Sequence, residues 1–161
     1  MRVQTKVGDI FAVAVDGQSK KYFQYVGNDK TQLNSDIIRA FKRRDPIATK
    51  PDLSDVVNGE VEFYAHCIIG VGLKLGVWVK VGTSGMIGDF ANVLFRHSND
   101  YGNPQIKVSS EWWIWEVSKP QIKVGRLEGD HKNAEIGLVF NPKQIEHRMK
   151  TGEYNLKGFP D

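Results

Sequence analysis

Gly8-Asp9-Ile10-Phe11-Ala12-Val13-Ala14-Val15, turned by Asp16-Gly17-Gln18-Ser19 and answered by Lys21-Tyr22-Phe23-Gln24-Tyr25-Val26, reads as a β-hairpin. Successive side chains of a strand alternate between its faces, so Ile10, Ala12 and Ala14 share one face and Phe11, Val13 and Val15 the other. Apolar residues on both faces predict a strand buried on both sides. The connection has turn chemistry: Gly17 tolerates positive φ, and Asp16 and Ser19 can bond nearby backbone amides.

Outward from this hairpin the signals stay predominantly β. In residues 31–44 Leu33, Ile37, Ile38 and Phe41 fit a helical face, while Ile37, Arg39 and Phe41 also alternate. The β-branched pair Ile37-Ile38 and the loop at Arg44-Asp45-Pro46 favour a strand. Residues 50–59 read as a loop or one short helical turn. Residues 60–69 form a second strong strand, with Phe63, Ala65 and Cys67 on one face and Tyr64, His66 and Ile68 on the other. The glycines at 70, 72 and 76 lack dinucleotide-binding spacing, no capped helix follows, and they are read as a bend with at most a single helical turn.

Residues 82–89 are a mobile connector by composition, 90–96 are a further strand candidate, and 97–104 are the most polar turn cluster. Two more strands are expected at 111–117 and 121–127. Near the C-terminus Asn141 can cap a helix, Pro142 suits its first position, Ile145 and Met149 share a face, and Gly152 can end it. The expected fold class is α+β: a strongly twisted antiparallel sheet or partly open barrel with one C-terminal helix.

A chain of 161 residues, 40% hydrophobic and 25% charged, is ordinary for one globular domain, here 1–161. It is too short for an eight-fold enzyme barrel. It contains no apolar run of about 18 residues, and Met1 to Lys6 lacks an apolar signal core, so a cytoplasmic protein without membrane attachment is expected. The single cysteine, Cys67, excludes an internal disulfide and reads as a small buried hydrophobe. Net charge is only +3, yet Lys20, Lys21, Lys30, Arg39, Lys42, Arg43 and Arg44 precede an acidic stretch with Asp52, Asp55, Glu60 and Glu62. Adjacent basic and acidic patches, or solvated loops, are the two readings. The basic run is short and accompanies no nucleic-acid-binding motif.

The chemistry-bearing residues are scattered. His66, His97, His131 and His147 form no local metal-binding pattern, and His131 and His147 read as surface groups. The weak candidates for a divalent ion are His66, Asp89, His97 and Asp100, against an interior, hydrogen-bonded role for His66. Ser98, Ser109 and Ser110 lack a nucleophile-elbow context, and no catalytic residue is assigned. Trp112, Trp113 and Trp115 put aromatics on both faces of one strand. With Trp78 and Tyr101 they either form a docking surface or fill a sheet–helix core.

The stretches Gly8-Asp9-Ile10-Phe11 and Lys21-Tyr22-Phe23 resemble the opening of the immunity protein 26 family. Thr5 to Phe11, Lys21 to Tyr25, Thr31-Gln32-Leu33-Asn34-Ser35-Asp36, Phe63-Tyr64-Ala65-His66-Cys67 and Glu135-Ile136-Gly137 are similar to a bacterial branch of it labelled phosphotriesterase HocA-like. The family implies a protein that neutralises a cognate protein toxin and needs no cofactor. The branch label implies organophosphate triester hydrolysis, for which a divalent metal would serve. The expected function is therefore an immunity-type binding protein, with a metal-assisted phosphotriester hydrolase as alternative and a housekeeping domain of unassigned role as third. Surplus aromatics and patchy charge suit the first.

Overall fold

In a computed structural model of the chain, which describes residues 4–161, the hairpin forms as β1 (Asp9–Ala14) and β2 (Ser19–Asp29), with Phe11 opposite Phe23. The polar lead Met1 to Lys6 falls partly on residues 1–3, outside the described residues. Residues 31–44 contribute a strand, β3 (Ser35–Pro46), and a short helix α1 (Leu53–Val57) precedes β4 (Val61–Cys67). The glycine-rich bend is a helical turn and a half, α2 (Ile69–Lys74), followed by β5 (Trp78–Thr83). Beyond it come β6 (Leu94–Ser98), β7 (Trp112–Glu116), β8 (Ile122–Gly125), a 3-10 turn (Gly129–Asn133), β9 (Glu135–Ile136), β10 (Val139–Phe140) and α3 (Pro142–Thr151).

The fold is α+β, but it holds two sheets rather than one, and both are mixed. The larger has the order β10-β4-β3-β2-β1-β5 and the smaller β8-β7-β6-β9. Neither closes into a barrel. Two short parallel pairs, β10 with β4 and β9 with β6, depart from the expected antiparallel plan. Both arise from one stretch, 135–140, which leaves the small sheet and joins the large one. At the crossing the Gly137 amide donates to the Arg96 carbonyl at 2.8 Å. A Cβ at Gly137 would overlap the Trp115 ring, so only glycine fits there.

β1 is covered on both sides, as its apolar faces require. Phe11, Val13 and Val15 join Phe23, Phe63, Cys67, Trp78 and the α3 residues Ile145 and Met149 in the main core. Ile10 and Ala12 pack with Phe41, Val56 and Val57 beneath α1. The smaller sheet docks through Phe95 and Trp115 against Val26 and Ile37. Burial, reinforced by Asp36, pushes the Cys67 thiol well above its ordinary value, in keeping with a small core hydrophobe. The Asn141 side chain accepts from the Gln144 amide and the Gln144 side chain accepts from the Asn141 amide. This capping box starts α3, and Gly152 at φ 84° ends it.

The two charge stretches meet in part, through two ion pairs. Lys42 of β3 pairs with Glu60, just before β4, at 2.6 Å, and buried Lys21 of β2 reaches past β3 to Glu62 of β4 at 3.0 Å. The connector at 82–89 is likewise held. Its first two residues end β5, and buried Arg39 donates from Nη2 to the Met86 carbonyl at 2.8 Å and from Nε to Gln24 at 2.9 Å. Gln24 in turn donates to the Ser84 carbonyl at 3.1 Å.

Candidate functional site

Two polar clusters stand where the sheets meet. The first is closed. Asp29, at the end of β2, is wholly buried and accepts four hydrogen bonds: from His66 Nε2 at 2.9 Å, the Trp115 indole at 2.8 Å, and the amides of Ser118 at 3.0 Å and Gln32 at 3.2 Å. Burial alone would raise the Asp29 carboxyl, but these donors outweigh it and hold the group below its ordinary value. His66 is driven the other way by burial, against the pull of Asp29. Its Nδ1 has no partner among the described residues and its ring lies 4.3 Å from Phe95, so the neutral tautomer carrying its proton on Nε2 fits the site. Asp29 thereby ties β2, β4 and β7 together. Ser118 Oγ donating to the Asn28 carbonyl and Thr31 Oγ1 to the Lys119 carbonyl extend the junction.

This placement resolves the tryptophans. Trp115 is consumed by the junction. Trp78 donates its indole N–H to the Ile69 carbonyl at 3.0 Å and meets Phe23 edge-on. Trp112 lies under Phe159 and the Arg96 guanidinium. All three are at most 1% exposed, so the docking surface expected of Trp78, Trp112 and Trp115 does not exist; they are core. Alternation along β7 gave the faces, but the large sheet covers one and the segment around Phe159 covers the other. Trp113, with the Lys123 ammonium over its ring, is half-buried, and Tyr101 remains 42% exposed.

The four metal candidates are not brought together. His66 belongs to Asp29, Asp89 caps an exposed loop amide, His97 lies against Tyr101, and Asp100 accepts from Ser109 Oγ at 2.6 Å. Among the described residues no three His, Cys, Asp or Glu side chains converge as a metal site. His131 sits half-buried in the 3-10 turn and His147 is exposed on α3.

The second cluster is open. A cleft of about 650 Å³ runs between β9, α3 and the segment after it, lined by Arg96, Lys132, Glu135, Arg148, Tyr154 and Asp161 among others. The Arg148 guanidinium lies 4.6 Å over Phe63 and 5.4 Å over Tyr154, and donates to the Gly152 carbonyl. Arg96 stacks 5.3 Å over Trp112, and its Nη1 reaches the Lys132 carbonyl at 3.5 Å. Neither guanidinium forms an ion pair among the described residues. Burial pushes the Glu135 carboxyl up to about 7, partly offset by the Tyr64 backbone and by the charges of Arg148 and Arg96. Burial, then Glu135, raises the Tyr154 phenol as well. Across Arg96 a second pocket of about 540 Å³ adds Ser109, Trp112 and Arg126 to the lining.

Asp29, Arg96, Glu135 and Arg148 have no site signal in the sequence. Asp29 reads as the hairpin's end, and Arg148 as a polar residue beside the Ile145–Met149 face. Glu135 falls within a stretch that carries the family resemblance, but its neighbours come from four distant segments. No protein-family model matches the chain, and no curated protein or solved structure is detectably similar to it.

Proposed function

We propose that this chain is a cytoplasmic binding protein of the immunity type, which neutralises a cognate protein toxin by surface complementarity, with the Arg96–Glu135–Arg148 cleft as its docking site. The observation that carries this reading is the pair of guanidinia, each laid on aromatic rings and neither ion-paired among the described residues. An arginine already held flat loses little freedom on binding, and arginine is enriched among residues that dominate interface energetics. The resemblance to the immunity family points the same way.

The test is co-purification with the product of a neighbouring toxin gene. A complex is expected that weakens with salt and loses at least about tenfold in affinity in the Arg96→Gln, Arg148→Gln double variant, since each charge-assisted contact is worth about 1.5–3 kcal/mol. A neighbouring toxin that neither binds nor is neutralised sinks the proposal.

One observation favours the hydrolase alternative: a carboxyl titrating near neutrality in a cleft is what general-base catalysis needs. Organophosphate turnover, with divalent metal supplied, that disappears in Glu135→Gln would replace the binding reading.

A further inference from the structure

We infer that the pocket on the far side of Arg96 binds a carboxylate, presented by an aspartate or glutamate side chain of the protein partner. The inference rests on the docking role proposed for the cleft. It starts from two donors without acceptors: Arg96 Nε and the Trp112 indole Nε1 are both buried and neither meets a hydrogen-bond partner among the described residues. Their side chains stack on each other and both line this pocket of about 540 Å³. Trp112 is wholly buried, and a buried donor left unmet costs about 1–3 kcal/mol, so an acceptor arriving here relieves an existing penalty.

The charge of the lining selects the ligand. Arg96, Arg126 and Lys132 face Glu128 and Asp161, leaving one net positive side-chain charge. A singly charged carboxylate balances it, whereas a doubly charged phosphate would add repulsion against Glu128 and Asp161. A carboxylate also has two oxygens in one plane, enough to take the edge of a guanidinium and an indole N–H together. Arg126 is exposed and free of ion pairs among the described residues, so it can close over the ligand from the solvent side.

The experiment is a titration of the full chain, followed by the indole and arginine Nε–H resonances at constant ionic strength. The probes are sodium acetate and a doubly blocked glutamate, with chloride and inorganic phosphate as separate arms. Trp112 (assigned with Trp112→Phe) and Arg96 are expected to shift saturably with acetate and the blocked glutamate. The Trp78 and Trp115 indoles, whose N–H groups already have acceptors, stay still. Arg126→Gln, a surface change that leaves the remaining spectrum intact, weakens both titrations at least threefold. Shifts no larger than in chloride, tighter binding of phosphate than of acetate, or indifference to Arg126→Gln would each overturn the inference. No toxin enters this titration, so its failure and the failure of the toxin complex are read separately.

Discussion

The Asp29 junction and the Arg96–Glu135–Arg148 cleft both lie along the line where the two sheets join, and both contain ionisable groups removed from water. They differ in whether those groups are answered. Asp29 takes four donors from two strands and two turns, so its charge is compensated in place and the cluster holds the sheets together. In the cleft the guanidinia rest on rings and form no ion pair among the described residues, and the nearby Glu135 carboxyl is pushed toward neutrality. A satisfied buried network specifies a structure; an unsatisfied one leaves binding capacity for something else.

The sharpest way to break this contrast is Asp29→Ala, which strips the acceptor from His66, Trp115 and two amides at once. A loss of about 3–5 kcal/mol is expected in urea denaturation, as for other buried partners removed singly. A loss below about 1 kcal/mol would show that the junction does not hold the sheets. Gly137→Ala comes next: its methyl would overlap the Trp115 ring and displace the indole from Asp29. About 1–3 kcal/mol of destabilisation is expected from overpacking, with the near-ultraviolet dichroism of Trp115 changed.

The two regions also respond to pH with opposite sign. The Glu135 carboxyl goes from an ordinary 4.5 to about 7 on folding, so the folded state holds its proton more tightly and stability falls as pH rises from about 4.5 through 7. His66 is lowered from 6.5, so the unfolded state binds the proton more readily and stability falls as pH drops below 6.5. Asp29, lowered from 3.8, adds a further loss below that value. Glu135→Gln should therefore stabilise the protein by about 2 kcal/mol at pH 8 and hardly at all at pH 4.5, leaving only the acid-side losses in a series of thermal melts. An equal effect at both pH values would place Glu135 in ordinary solvent. The smallest effect is expected of Arg126→Gln, within about 0.5 kcal/mol of the parent in stability because the side chain is exposed and has no ion pair among the described residues.

Much of the architecture was legible one segment at a time. β1 and β2 follow from double-faced apolar alternation and a turn at Asp16-Gly17, β4 from alternation of Phe63, Ala65 and Cys67 against Tyr64 and His66. α3 follows from Asn141, Pro142 and Gly152. The parallel pairs were not legible, because β9 and β10 are two residues each and carry no period of their own. β5 was partly hidden by glycines that read as a connector. Of the expected site residues, Trp113 and Tyr101 keep exposed surface, while Trp78, Trp112 and Trp115 were drawn inward by neighbours remote in sequence.

Local composition thus set the strands, the capped helix and the identity of the core faces, since alternation and capping depend on residues a few positions apart. Which polar groups meet was decided only in three dimensions. Asp29 finds Trp115 eighty-six residues away, and Glu135 acquires its near-neutral carboxyl from burial that the Tyr64 backbone, Arg148 and Arg96 only partly offset. Burial and electrostatic coupling are properties of proximity through space, which no window along the chain contains.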